Sequence, residues 1–329
     1  MKKIPGWFYL VAIATLAHFA STLYSVAGKN PLEATALAIV LGLLLRQFSL
    51  VPKSCEAGIK ESEKALLWGI VLLGVSLNFN TIISSGTSML IVVMTTMVFG
   101  FLIISLFGRL FGLSSNLSLL LAVGTTICGG SAIAVTAPII KAKEEETSYA
   151  IGTITLWGVL AIFIYPYIAR LFEVSNFNFG LFAGSAIHST PQVVGAGFIY
   201  SELSGQTATT VKLIRNCFMA PLALFIAFWY QRKEKAMSGT KVNYAKAFPW
   251  FLFGFFITAA LNTWGILPTN IISSITNIAK FLIIISMVGI GLSVNFSSFK
   301  GIGFRPLIVG FIGALVVAGI SIATISWNK

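Results

Sequence analysis

A chain of 329 residues that is 57% hydrophobic and only 10% charged, with a mean hydropathy of +0.91, has too little polar surface for a soluble globular domain. Its formal net charge of +12 would suggest nucleic acid in a soluble protein, but in a membrane protein it is what an excess of Lys and Arg in the inner loops produces. Cys55, Cys128 and Cys217 fall in one loop and two apolar spans, which gives neither a disulfide framework nor a metal cluster, and no P-loop is present.

Apolar runs of membrane length follow one another with mostly short connections, so the expected fold is all-α and polytopic, with about eleven transmembrane helices over 1–329 and no extramembrane domain. The first span, 7–26, is too long for a cleaved signal and is expected to be retained. The second begins at Asn30-Pro31, a helix-start signal, and ends at Arg46. After a basic loop come 65–79, interrupted by Gly69 and Gly74, and 87–110. Spans follow at 116–140, at 147–171 with Pro166 inside, and at 180–198, the short segment that crosses fully or re-enters. The last four are 206–230, 248–266, 270–294 and 305–327, with a basic loop over 231–247.

The span 116–140 contains Gly124 to Pro138, GTTICGGSAIAVTAP, which has too many helix-weakening residues for a plain hydrophobic helix. The backbone is expected to open near Cys128 to Ser131. Inside a bilayer, freed amides and carbonyls are tolerated where protein buries them or a wet cavity meets them, and an exposed helix N-terminus attracts an anion. A second such stretch, Phe182 to Val193, reads FAGSAIHSTPQV. Gly130 to Ile133 matches Gly184 to Ile187, with Pro138 and Pro191 following, and the two stretches read as facing halves of one site. A further echo links 73–79 to 288–296. Its offset of about 215 residues cannot share one duplication with the offset of 54 between the opened stretches.

Of the 22 Lys and Arg, eleven crossings from an inner N-terminus place Lys29, Lys141, Lys143 and Lys329 outside. Lys212, Arg215 and Lys280 lie within spans, and the other fifteen fall inside. This bias favours a cytoplasmic N-terminus, an outer C-terminus and a full crossing at 180–198.

The chain has no aspartate, and its glutamates sit in loops or at helix ends, so no mid-membrane carboxylate is available to hold a cation. Lys212 and Arg215 lie three apart on one face of a span, and Lys280 reaches a similar depth in another. Such charges must be met by carbonyls, water or a bound anion. His188, Ser189, Thr190 and Gln192 add hydrogen-bonding groups, and His188 could titrate near neutrality. The candidate substrate-binding residues are therefore Arg215, Lys212, His188, Ser189, Thr190, Gln192, Ser131, Gly129, Gly130, Gly184, Ser185, Asn216 and Lys280.

The segments GTTICGGSAIA, FAGSAIHSTPQVVGAG and VKLIRN, with NPLEATALAIVLGLLLR and LLWGIVLLGVSL, resemble the YeiH-like family of bacterial inner-membrane proteins, which are linked to sulfate export. The resemblance runs over nearly the whole chain. It implies a multi-pass protein of the bacterial plasma membrane, related in fold to the inverted-repeat transporters that include sodium/proton antiporters and bile-acid symporters. Many members carry an aspartate after the histidine, where this chain has Ser189, so a proton or cation role does not carry over there.

Together these readings favour a secondary transporter of a small oxyanion such as sulfate or a sulfonate, by alternating access. An anion channel is the alternative, and a membrane enzyme using Cys128 or His188 is a third reading that lacks a nearby catalytic base. No cofactor or metal is expected. The expected partners are a small anionic substrate and the lipid bilayer, not nucleic acid, with homo-oligomerisation left open.

Overall fold

The computed structural model describes residues 3–23, 34–76, 79–233, 250–294 and 303–327. Among these no strand occurs. In chain order the helices are α1 (Ile4–Leu23), α2 (Ala34–Gln47), α3 (Glu56–Ile59), α4 (Ser62–Leu73), α5 (Phe79–Leu110), α6 (Ser115–Thr126), α7 (Gly130–Ile139) and α8 (Glu144–Leu171). They continue as α9 (Asn176–Ala186), α10 (Thr190–Tyr200), α11 (Glu202–Cys217), α12 (Met219–Lys233), α13 (Trp250–Thr263), α14 (Thr269–Ser293) and α15 (Phe304–Trp327). They pack as two compact units, Met1–Ser85 with Trp250–Ser297, and Gly86–Pro249 with Ser298–Lys329.

In the first unit, glycines let backbones touch. A Cβ on Gly42 of α2 would lie 2.4 Å from the Val288 carbonyl oxygen of α14, and one on Gly291 of α14 would lie 2.2 Å from that of Ile39. Contact this close replaces side-chain interdigitation with dispersion between backbones, as small residues do between helices in lipid. Arg46, in the last turn of α2, donates from Nε to the Leu292 carbonyl (2.5 Å) and from Nη1 to Glu56 (2.6 Å).

Three helices of the second unit start with serine caps. Ser114 Oγ accepts from the Leu117 amide (3.1 Å), Ser175 Oγ from Asn178 (3.3 Å) and Ser201 Oγ from Ser204 (3.1 Å), fixing the starts of α6, α9 and α11. The two opened stretches turn back on themselves. Asn116 Nδ2, at the start of α6, donates to the Ile140 carbonyl just past α7 (3.4 Å), and Ser114 Oγ donates to Glu146 in the first turn of α8. Residues 115–140 thus form a re-entrant hairpin with both feet at one end of the unit. Its arms of 12 and 10 residues are about 18 and 15 Å long, roughly half the hydrocarbon thickness of a bilayer.

The stretch 176–200 does the same from the other end. Tyr200 stacks on Phe179 with ring centroids 4.2 Å apart and donates its hydroxyl to the Val174 carbonyl, while Arg170 Nη2 donates to the Ile199 carbonyl (2.6 Å). Helix α9 lies beside α11 in parallel register: Ser204 Oγ donates to the Asn176 carbonyl (2.7 Å), a Cβ on Gly180 would lie 2.5 Å from Thr207 Cβ, and one on Gly184 would lie 2.6 Å from Val211 Cβ.

These hairpins correct the expected topology. Neither 116–140 nor 180–198 crosses the unit. Lys141 and Lys143, expected on the face opposite Arg109, share its end, and Arg170 lies at the other. Among the described residues six helices are long and apolar enough to cross a membrane: Ile4–Leu23, Gly86–Leu110, Glu144–Leu171, Glu202–Tyr230, Thr269–Ser293 and Phe304–Trp327. Of the eleven expected spans, 116–140 and 180–198 are therefore hairpins. The span expected over 206–230 is interrupted at Phe218, where α11 gives way to α12. The end of the first expected span, the Asn30-Pro31 helix start, most of the 231–247 loop, Leu77-Asn78, Asn295-Phe296 and Lys329 lie outside the described residues.

Candidate functional site

The hairpins approach from opposite ends and their tips, 127–129 and 187–189, meet in the middle of the second unit. A Cβ built on Gly129 would lie 3.1 Å from Ser189 Cβ. Gly129 also holds φ at +70°, so glycine is required there twice over, for space and for backbone conformation.

Each tip leaves the last carbonyls of its incoming helix without intrahelical donors. Two side chains of α11 supply those donors. Lys212 Nζ donates to the carbonyls of Ile127 (2.7 Å), Ile187 (3.0 Å) and His188. Three donated bonds would use all three hydrogens of an ammonium group. Arg215 donates from Nε to Thr126 (2.5 Å), from Nη1 to Ser185 (2.7 Å) and Ile187 (3.2 Å), and from Nη2 to Thr125, all at backbone carbonyls. Both residues are 0% exposed.

The sum of charges favours an anion. A helix C-terminus carries about half a negative charge, so the ends of α6 and α9 offset only about one of the two positive side chains. The N-termini of α7 and α10, at the same tips, add about half a positive charge each. Among the described residues no carboxylate is buried.

The first-turn amides of α7 at Gly130 and Ser131 have no intrahelical acceptor, while that of Ala132 is directed at Cys128 Sγ. Ser131 is exposed, Gly130 is half-buried, and a Cβ on Gly130 would meet nothing within 4 Å. At α10 the amide of Ser189 is taken by Gln192 Oε1 (3.1 Å) and Pro191 has none, so fewer donors remain. Asn216 Nδ2 donates to Thr190 Oγ1 (3.2 Å), which ties α11 to the start of α10. Asn216 Oδ1 and His188 Nδ1 are buried without a partner.

The candidate residues thus separate. Gly129, Gly130, Ser131, His188, Ser189, Thr190, Lys212, Arg215 and Asn216 gather at the tips. Arg215, expected to offer a free fork to an oxyanion, spends its donors on carbonyls instead, and Lys212 does likewise. Gly130, expected against a ligand or a crossing helix, would point a Cβ into open space. Gly184 faces α11. Ser185 Oγ donates to the Leu181 carbonyl (2.7 Å) and shares a hydrogen bond with Ser321 of α15 (2.7 Å), while Gln192 Nε2 donates to the Thr155 carbonyl (3.3 Å). Those three fix packing. Lys280 belongs to α14 of the first unit.

The match between Gly130–Ile133 and Gly184–Ile187 is not the structural one, because the first follows its tip and the second precedes it. Aligning the tips instead pairs Gly124 with Gly184 and Ile127 with Ile187. A Cβ on either glycine would strike a packed side chain, Ile154 at 2.2 Å or Val211 at 2.6 Å. Four contributors have no sequence signal, since their partners are far away in the chain: the carbonyls of Thr125 and Thr126, Ser321, and Met219, whose Sδ accepts from Cys128 Sγ (3.3 Å).

Opposed re-entrant hairpins around buried cations, in a chain with six helices of membrane length among its described residues, define a polytopic helical membrane protein with a polar centre. The family described as Conserved hypothetical protein 698 matches residues 5–310. The chain belongs to this family, the UPF0324 membrane proteins, as its YeiH-like motifs implied. It is 32% identical to a UPF0324 membrane protein of Clostridium tetani, over 97% of this chain and 96% of that one. It is 34% identical to one of Bartonella henselae (98% and 92%) and 32% identical to the UPF0324 inner membrane protein YeiH of Escherichia coli K12 (96% and 92%). The solved sodium proton antiporter MjNhaP1 from Methanocaldococcus jannaschii aligns over 99% of this chain and 100% of its own at 12% identity and a TM-score of 0.31, a likeness too loose to bear on fold or function.

Proposed function

We propose that the protein is a secondary transporter of a small anion in the bacterial plasma membrane, with sulfate or a sulfonate as the favoured cargo. The observation that carries this reading is the excess positive charge at the hairpin tips, where two cations and two helix N-termini outweigh two capped C-termini. The anion is bound by the amides of Gly130 and Ser131, with the hydroxyls of Ser189 and Thr190 on the facing tip. Lys212 and Arg215 act from behind, holding the tips open and supplying the field, without touching the cargo. This arrangement suits an oxyanion, which accepts several convergent N–H and O–H donors at once. Alternating access then needs the tips to exchange which end of the unit they open to. No catalytic step is part of this reading, because Cys128 is packed against Met219.

The end of the second unit bearing Arg109, Lys141, Lys143 and Arg305 is assigned to the cytoplasm by the positive-inside rule, against Arg170 at the other end. Purified protein in detergent, screened by thermal shift against sulfate, sulfonates and halides, tests the proposal together with flux into liposomes. Stabilisation by an oxyanion and its flux, both lost in Gly130→Val, are expected. Conductance far above a transporter's turnover would make the protein a channel, and absence of any anion-dependent shift would overturn the site.

A further inference from the structure

Away from the tips, the second unit holds a cavity of about 440 Å³ between α5, the start of α6 and the end of α12. Its walls are apolar, formed by Phe101, Leu102, Leu106, Leu119, Phe225 and Trp229, and Arg109 stands at its mouth. We propose that this cavity binds one acyl chain of an anionic phospholipid, with the phosphate at Arg109.

Three observations carry the assignment. Among the described residues the Arg109 side chain has neither an ion pair nor a hydrogen bond, although a guanidinium is suited to hold two phosphate oxygens. Ser105, one turn deeper on α5 and about 6 Å along the axis, has a buried hydroxyl without a partner, placed to donate to an ester carbonyl below the phosphate. Trp229 and Tyr230 line the same mouth, as amphipathic rings do at the level of lipid headgroups.

Charge at this end favours an anionic over a zwitterionic headgroup. Arg305 Nη1 lies 3.5 Å from where a Cβ would stand on Gly112, in the turn after α5, and so adds a second guanidinium near Arg109. Lys141 and Lys143 share the end with Glu144, Glu145 and Glu146, of which Glu146 accepts from Ser114 Oγ and from the Lys143 amide (2.9 Å). The apolar depth and the polar rim together match a lipid and not a free phosphate. They also place the lipid against α6, the entry arm of the first hairpin, where it braces that arm.

The test uses full-length protein in dodecyl maltoside, titrated with phosphatidylglycerol or phosphatidylcholine of the same acyl chains and followed by thermal shift and native mass spectrometry. Phosphatidylglycerol is expected to bind about fivefold tighter for each basic residue it engages. Arg109→Gln should cut that preference about fivefold while leaving chain-dependent binding, and Arg109→Lys should restore part of it. Ser105→Phe, which fills the cavity, should remove retained lipid of both kinds, with gel filtration reporting that the variants remain folded. Glycerophosphoglycerol alone should give no shift; a shift equal to the lipid's would make this a phosphate site. Equal affinity for both lipids, or an unchanged preference in Arg109→Gln, would overturn the proposal, whether or not the tips bind an anion.

Discussion

Gly129 and Ser189, sixty residues apart in sequence, meet where two half-length helical hairpins touch, with a Cβ on Gly129 placed 3.1 Å from that of Ser189. Gly129→Ala should therefore meet a crowded neighbour and a strained backbone at φ +70°, for a loss of about 1–3 kcal/mol. A fall in melting temperature in detergent is expected for Gly129→Ala but not for Gly130→Ala, whose Cβ meets open space. Equal melting of the two variants would contradict the tip geometry.

Arg215 separates support from direct binding. Lysine keeps the charge but has three donors for the carbonyls that five guanidinium hydrogens now serve. Arg215→Lys should destabilise the protein by about 2–3 kcal/mol, the scale of one or two unpaired buried carbonyls, before any effect on cargo is considered. A variant that melts like the wild type yet has lost anion affinity would instead make Arg215 a direct ligand.

Labelling from either side of the membrane tests the hairpins themselves. In a background lacking Cys55, Cys128 and Cys217, cysteines at Lys143 and Arg305 should react with an impermeant maleimide from one side, and a cysteine at Glu173 from the other. Reaction of Lys143→Cys and Arg305→Cys from opposite sides would mean that 116–140 crosses after all.

Acid should weaken the first unit at a point outside its membrane helices. The hydrogen bond from Arg46 holds the Glu56 carboxyl below its ordinary value of 4.5. A folded-state value below the unfolded one contributes stability above about pH 4.5 and loses it as pH falls through the lowered value. Because the pair is partly exposed, Glu56→Gln should cost no more than about 1 kcal/mol at pH 7, and the difference from wild type should shrink as pH falls below 4.5. A difference that stays constant as the carboxyl is fully protonated would show that the pair contributes through packing alone.

Composition and pattern in the sequence were enough to determine a helical membrane protein, a break beside the expected Cys128–Ser131 that the structure places at 127–129, another near His188, and a buried cationic centre without carboxylates. Those features follow from local chemistry: apolar runs demand lipid, glycine and proline open helices, and a lysine or arginine in mid-span demands an electrostatic partner. Whether a broken helix continues across or turns back is not a local property. A 25-residue apolar stretch with a break has the right length for one crossing or for two half-depth arms, and the choice was made by remote contacts such as Asn116 with Ile140 and Tyr200 with Val174. The role of Arg215 was decided in the same way. Its charge and depth are evident in VKLIRN, but only the tertiary structure brings the carbonyls of Thr125, Thr126, Ser185 and Ile187 around it, because helix ends freed by one part of the chain are capped by side chains from another.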